Sequence, residues 1–326
     1  MKHNLGITLL LLSMFVATQF IGLYIIHADI FNKVNGSEEK VTNPILSFLQ
    51  PPEVEEESDF TGYFISIIIA FILAIGILFL LTRFKINIIL RGWFFLVVAI
   101  ALFITINSLF PNYISSIYFI VISSAIALAL AFLKLFRRNF FIHNITELLI
   151  YPGIATLFVP IIDFWSIIVL LIMISVYDMW AVWHSGVMQK MAKYQINNLK
   201  IFSGFLIPHI PQRLKDKIKR MRSRKQKKKV KVNIAILGGG DIVFPMITAG
   251  VMLNSAKYGR FPAFLSNLSS PLFNISGLGT ALFVIAGATL GLGLLFLFSE
   301  KKKFYPAMPF ITAGIFLGMI LSYLIL

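Results

Sequence analysis

Residues 233–253 read NIAILGGGDIVFPMITAGVML, an apolar run in which Asp241 is the one charged residue. A second run, residues 164–183, reads FWSIIVLLIMISVYDMWAVW, and its one charged residue is Asp178. Each run is long enough to cross the hydrocarbon core of a membrane as a helix. A carboxylate at that depth is costly and is usually retained for function. The two aspartates are therefore the first candidates for a functional site.

The composition is that of a membrane protein. Hydrophobic residues make up 58% of the 326 residues, charged residues only 13%, and the mean hydropathy is +0.86. A closed β-barrel would show short alternating segments, whereas these apolar runs are continuous over about 20 residues. The sequence predicts an all-α, polytopic membrane protein with about nine transmembrane helices. The expected spans are roughly 5–27, 62–82, 86–110, 113–133, 140–159, 164–183, 233–253, 275–298 and 305–326.

The distribution of lysine and arginine predicts the orientation, because cytoplasmic loops carry an excess of both. A cytoplasmic N-terminus places most of the 29 basic residues inside. We therefore expect an integral protein of the cell membrane with its N-terminus in the cytoplasm and its C-terminus outside. The first apolar run is longer than the apolar region of a usual signal peptide and lacks a clean cleavage site, so we interpret it as a retained span.

Three parts are predicted along the chain. Residues 1–184 form an N-terminal six-helix part that carries Asp178, residues 185–232 form a basic cytoplasmic linker, and residues 233–326 form a C-terminal three-helix part that carries Asp241. The linker supplies most of the net charge of +15. Beside a membrane it would be drawn to anionic lipid headgroups, or it is simply solvated. Binding to nucleic acid is not expected, because no aromatic residues are interleaved with the basic run.

The two aspartates are expected to lie at matching depth in antiparallel spans, roughly 9–12 Å below the cytoplasmic surface. Two carboxyl groups a few ångströms apart do not both ionise easily, so one of them keeps a proton. The ionised group can then activate a water as general base, while the protonated group hydrogen-bonds the scissile carbonyl. This chemistry is peptide hydrolysis without a covalent intermediate.

Other chemistries have weaker signals. The chain has no cysteine, its five histidines are scattered, and it has no His-Glu-x-x-His motif, so no metal or other cofactor is expected. The alternative is a secondary transporter or cation leak pathway in which the intramembrane acids bind protons or ions. Glu147 in the fifth span is a candidate for a proton relay, but snorkelling or a polar contact is the favoured interpretation. Asp163 is the expected N-cap of the sixth span.

The residues flanking the aspartates form three short motifs. Tyr177 precedes Asp178, and its hydroxyl is a candidate hydrogen-bond partner within the site. Three glycines precede Asp241, which allows the backbone to approach closely. The ninth span opens with two prolines, whose rings remove backbone donors and leave carbonyl groups unpaired. The motifs are Tyr177-Asp178, Gly238-Gly239-Gly240-Asp241 and Pro306-Ala307-Met308.

Together these motifs, in this order and with a long basic loop between the aspartates, resemble the three signatures of the presenilin and signal peptide peptidase intramembrane aspartyl proteases. The resemblance implies that Asp178 and Asp241 are catalytic. It gives supporting roles to Tyr177, Gly238, Gly240, Pro306, Ala307 and Met308. The family usually has leucine at the position of Met308, and this change conserves volume and apolarity.

The resemblance also has implications for partners and substrates. The compact chain is most similar to microbial homologues that need no accessory subunits, so none is expected. The substrates implied are transmembrane segments of other proteins, which enter laterally from the lipid and unwind locally. A strand predicted at residues 229–232, together with carbonyl groups near residues 306–309, is expected to pair with the unwound substrate.

Overall fold

The computed structural model describes residues 5–31, 57–84, 87–110, 116–137, 139–185, 202–209, 233–272, 274–299 and 305–326. Within these residues the chain forms nine α-helices, and eight of the helical segments are long and apolar enough to cross a membrane. The predicted helical membrane fold is therefore confirmed. The helices are α1 (Leu5–Phe31), α2 (Glu57–Arg83), α3 (Asn87–Leu109), α4 (Ile117–Phe136), α5 (Phe140–Phe158), α6 (Phe164–Trp180), α7 (Gly240–Lys257), α8 (Leu278–Phe298) and α9 (Met308–Ile325).

The start of the seventh span differs from the prediction. Residues 233–238 were expected to be helical, but they form strand β2 (Asn233–Gly238), which pairs antiparallel with β1 (Gly204–His209). Burial along β2 alternates: Ala235 and Leu237 are buried, whereas Ile236 between them is 39% exposed. This period of two is that of a strand, and the glycines that follow end it. Helix α7 consequently begins at Gly240.

Most of the linker lies outside the described residues, including the strand predicted at residues 229–232. Shorter elements join the helices. A 3-10 turn (Val159–Ile161) follows α5, and one π-helical turn (Ala181–Ser185) extends α6. Between α7 and α8 lie a second 3-10 segment (Ala263–Ser269) and a small hairpin of β3 (Pro271–Leu272) and β4 (Ile275–Ser276).

Asp163 caps α6, as predicted. Its carboxylate accepts hydrogen bonds from the backbone N–H groups of Ser166, at 3.0 Å, and Trp165, at 3.3 Å. These N–H groups belong to the first turn, where a helix offers them no internal partner. The cap therefore defines where α6 begins, and with it the position of Asp178 near the other end.

Helix α7 lies at the centre of the bundle. Every residue from Pro245 to Ala256 is buried. The main hydrophobic core surrounds this helix with residues of α1, α5, α6, α8, α9 and the β1–β2 hairpin, so the N-terminal and C-terminal parts pack on each other. A second core joins α3, α4 and α5. Helix α2 is peripheral, since Phe60 is the one buried residue among its described side chains.

Helices α8 and α9 approach each other through glycines. A Cβ atom on Gly287 would collide with the backbone carbonyl of Gly314, and a Cβ atom on Gly318 would collide with that of Phe283. Small residues allow two helix backbones to meet at such short range inside a membrane. This contact holds α9 in place, and the N-terminus of α9 forms part of the candidate site.

Candidate active site

Asp178 lies in the last turn of α6 with its side chain buried, at 7% exposure. Its Oδ2 accepts a hydrogen bond from the backbone N–H of Met308 at 3.0 Å. The N–H of Ala307 is a second donor to the same carboxylate. Both donors stand at the start of α9, where N–H groups lack partners within the helix and the helix dipole favours negative charge. The third motif thus supports Asp178 with its backbone.

A second contact between α6 and α9 lies one turn away. The hydroxyl of Ser175 donates to the hydroxyl of Thr312 at 2.8 Å, and both side chains are buried. Hydrogen bonds between side chains of neighbouring helices stabilise their association in membranes. This contact keeps the C-terminal end of α6 against the N-terminal end of α9, which is the geometry that the bond from Met308 to Asp178 requires.

Asp241 lies in the first turn of α7 and is partly exposed, whereas Ile242 beside it is fully buried. Its carboxylate folds back towards the end of β2, where the N–H of Gly238 is a hydrogen-bond donor to it. A Cβ atom on Gly238 would lie 3.1 Å from Oδ2 of Asp241, which is tighter than ordinary contact. Glycine at position 238 therefore leaves room for the carboxylate.

The two aspartates stand at the same end of the bundle, one at the C-terminal end of α6 and one at the N-terminal end of α7. They are close enough for the charge of Asp178 to act on Asp241. Like charges at short range repel strongly where water is scarce, and one shared proton relieves that repulsion. Such a pair favours the state in which one carboxyl group is protonated and the other is ionised.

Not every residue of the three motifs faces this pair. Tyr177 is 45% exposed, and its ring lies against Trp180 with centroids 6.3 Å apart. Consecutive residues of a helix point about 100° apart, so a buried Asp178 turns Tyr177 outward. Gly240 is exposed, and a Cβ atom there would meet only the ring of Phe244, at 3.7 Å. Pro306 is buried and Ala307 partly buried at the start of α9.

The structure adds contacts of the motif residues that the sequence did not predict. Gly239, the middle glycine of the triplet, donates its N–H to the carbonyl of Ser203 at 3.3 Å. A Cβ atom on Gly239 would lie 2.8 Å from Oγ of Ser203 and 3.1 Å from Oη of Tyr151. From α1, Nε2 of Gln19 donates to the carbonyl of Ile242 at 2.8 Å. These partners come from distant segments, and no local sequence signal marks them.

Metal binding has no evident centre in the part of the chain that the structure describes. No group of three or more histidine, cysteine, aspartate or glutamate side chains comes together there in a way that could hold an ion.

The tight space at Gly239 generates a prediction about stability. We expect Gly239→Ala to lower the free energy of unfolding by about 1–3 kcal/mol, because the added methyl group overpacks the site. The control, Gly240→Ala, should change it by less than about 0.5 kcal/mol, because position 240 is open. Thermal unfolding of both variants in detergent measures the difference. Equal melting temperatures would contradict the described packing.

A second prediction concerns Met308. Its backbone N–H donates a hydrogen bond to Asp178, and its side chain is buried at 3% exposure. Met308→Leu conserves volume and should cost less than about 1.5 kcal/mol of stability. Met308→Ala leaves a cavity and should cost about 2–5 kcal/mol. We expect peptide cleavage to fall with Met308→Ala and to be retained with Met308→Leu, measured at a temperature where both variants are folded. Equal cleavage rates would show that the start of α9 needs no support from this side chain.

Comparison with known proteins identifies the family. The family model described as signal-peptide peptidase, presenilin aspartyl protease matches residues 45–326. Two solved structures of a presenilin family intramembrane aspartate protease have a similar fold. One, in space group C222, is 16% identical, with 98% of this chain and 99% of that chain covered and a TM-score of 0.58. The other, in space group P2, is 16% identical, with 99% and 98% covered and a TM-score of 0.56.

No curated protein matches the chain at a significant level. The family match nevertheless extends over most of the sequence and includes both aspartates and all three motifs. The protein therefore belongs to the signal-peptide peptidase and presenilin family of aspartyl proteases.

Proposed function

We propose that Asp178 and Asp241 form the catalytic pair with which this protein hydrolyses peptide bonds in transmembrane segments of other proteins. The family makes the chain an intramembrane aspartic endopeptidase. The observation that supports the residue assignment is the placement of two electrostatically interacting carboxyl groups at the same end of the bundle, beside the start of α9. The comparisons give no support to a transporter or cation leak pathway.

The chemistry follows from one proton shared by two carboxyl groups. The ionised aspartate takes a proton from a water molecule, which attacks the scissile carbonyl, while the protonated aspartate donates a hydrogen bond to the carbonyl oxygen. Collapse of the tetrahedral intermediate breaks the C–N bond, and a proton from the pair goes to the leaving amine. The pair titrates as a unit, so neither role belongs permanently to one residue.

The substrate reaches this pair from the lipid. Helix α2 is loosely attached to the bundle, with Phe60 as the one buried residue among its described side chains, which supports lateral access on that side. Inside, the described part of the β1–β2 sheet has two strands, and β1 covers one edge of β2. The other edge of β2 offers backbone groups to an unwound substrate by strand addition. Since β2 ends at Gly238, a substrate paired there would present its backbone beside Asp241.

The orientation and the partners belong to the same proposal. The N-terminus is cytoplasmic and the C-terminus outside, because this arrangement puts most lysines and arginines on the cytoplasmic side. The basic linker at residues 185–232 contacts anionic lipid headgroups of that leaflet. The motifs all lie within this compact chain, and the enzyme acts without obligatory accessory subunits.

The decisive test replaces each catalytic aspartate by its isostere. Asp178→Asn and Asp241→Asn should each lower cleavage of a labelled transmembrane peptide in detergent more than about 100-fold, because general acid–base catalysis is lost. The matched control is Asp163→Asn, which keeps an N-cap residue on α6 and should cleave normally. Cleavage at the wild-type rate by either catalytic variant, in a folded sample, would refute the assignment.

The shared proton also predicts the pH dependence. Cleavage should pass through a maximum: at low pH the ionised aspartate gains a proton and the base is lost, and at high pH the shared proton leaves and the acid is lost. Initial rates across the pH range, corrected for the folded fraction at each pH, measure this profile. A rate that rose steadily to the alkaline end would contradict a protonated partner in the pair.

A further inference from the structure

A group of polar side chains on α5 lies along the edge of β1 that β2 leaves uncovered. The amide of Asn144 donates to the carbonyl of Leu206 at 2.9 Å, and its Oδ1 accepts from the N–H of Leu206 at 3.0 Å. One side chain thus makes the donor-and-acceptor pair of bonds that an opposing residue makes in an antiparallel sheet. The helix supplies what a third strand would otherwise supply.

Side chains of α5 also take the place of a third strand at Gly204, two residues earlier on β1. Its N–H donates to Oε1 of Glu147 at 3.3 Å, and its carbonyl oxygen lies 2.8 Å from Nε2 of His143. Alternate residues of a strand direct their backbone groups to the same edge, so Gly204 and Leu206 share the edge that faces α5. A sheet edge inside a membrane protein needs such partners, because unsatisfied backbone groups are costly there.

Glu147 is anchored in turn by a cation from another helix. Its side chain is buried, and Oε1 lies 2.5 Å from Nζ of Lys134, in the last turn of α4, which is also buried. Of the favoured alternatives for Glu147, snorkelling is excluded, since the side chain is fully buried, and the polar contact is present. A buried ion pair adds little stability compared with apolar packing of the same volume. An apolar pair, however, offers no acceptor to the N–H of Gly204.

The edge of β1 is coupled to the aspartates through β2. Gly204 pairs in register with Gly238, and the N–H of Gly238 donates a hydrogen bond to Asp241. One turn after Glu147, Tyr151 is buried against Gly239 and meets the ring of Phe205 edge-on at 5.9 Å. Helix α5 therefore determines where β1 lies, and β1 determines where the end of β2 lies.

We propose that Asn144, Glu147 and Lys134 are positioning residues of the protease: by holding β1 as a third strand would, they set the position of β2 relative to Asp241. Because α5 occupies the outer edge of β1, the free edge of β2 is the one left for substrate. This role rests on the proposed function and adds to it the residues that determine the cleavage position and the rate of the chemical step.

The first test compares two substitutions of asparagine. Asn144→Leu removes both bonds to Leu206, and we expect kcat to fall about tenfold or more, KM to change less than about twofold, and the cleavage positions in a labelled transmembrane peptide to shift. Asn144→Asp keeps the acceptor for the N–H of Leu206 and should be intermediate. The control is Asn107→Leu on α3, which removes a buried amide bonded to Phe103 and Ser123 beside the second core, whereas the sheet belongs to the main core. It should lower the melting temperature without changing the products.

The second test separates the role of Glu147 as hydrogen-bond acceptor for Gly204 from the role of its negative charge. Both double variants replace Lys134 by methionine, so neither contains an unpaired buried lysine. Glu147→Gln in that background keeps an oxygen for the N–H of Gly204 and should be at least about tenfold more active than Glu147→Leu, which removes it. Equal kcat values and products for these two double variants would overturn the positioning role.

Different results would contradict the proteolytic function and the positioning role. If Asp241→Asn still cleaves the peptide, the proposed function fails whatever the sheet variants do. If Asp241→Asn is inactive but Asn144→Leu matches Asn107→Leu in kcat, KM and products at equal folded fraction, the positioning role alone is overturned.

Discussion

The site depends on the hydrogen bond from the start of α9 to Asp178. A carboxylate inside a membrane protein has lost the water that would otherwise solvate it, and it must find donors in the protein. For Asp178 the donors are the first backbone N–H groups of α9. These groups have no acceptor within the helix and need one from elsewhere. The carboxylate and the N–H groups therefore satisfy each other, and this pairing places the third motif beside the first.

Much of the C-terminal packing serves this contact. The glycines of α8 and α9 bring the two helix backbones together, and the bond between Ser175 and Thr312 ties α9 to α6. A helix N-terminus acts as an anion site only where it is held still, because its effect fades within the first turn. The Met308 side chain is buried in the main core and so holds the residue whose N–H donates to the carboxylate.

Asp241 is held by a different device. A strand instead of a helix leads into it, so its carboxylate meets the N–H of Gly238 at the end of β2. Backbone groups at a sheet edge inside a membrane protein need either hydrogen-bond partners or a water-filled cavity. The outer edge of β1 is hydrogen-bonded by side chains of α5, where Asn144 makes both backbone bonds that a residue of a third strand would make. The remaining edge of β2 has no strand partner among the described residues and stands next to Asp241.

The sequence by itself determined the helical membrane class, the two aspartates, the three motifs and the Asp163 cap, because length, hydropathy and capping are local properties. It did not determine that residues 233–238 form a strand, since a uniformly apolar run shows neither a period of two nor one of 3.6. Nor did it show that Tyr177 faces outward or that Glu147 reaches Lys134 and Gly204. Those outcomes were decided by the tertiary structure, because they depend on which groups from distant segments satisfy a buried charge or a free backbone edge.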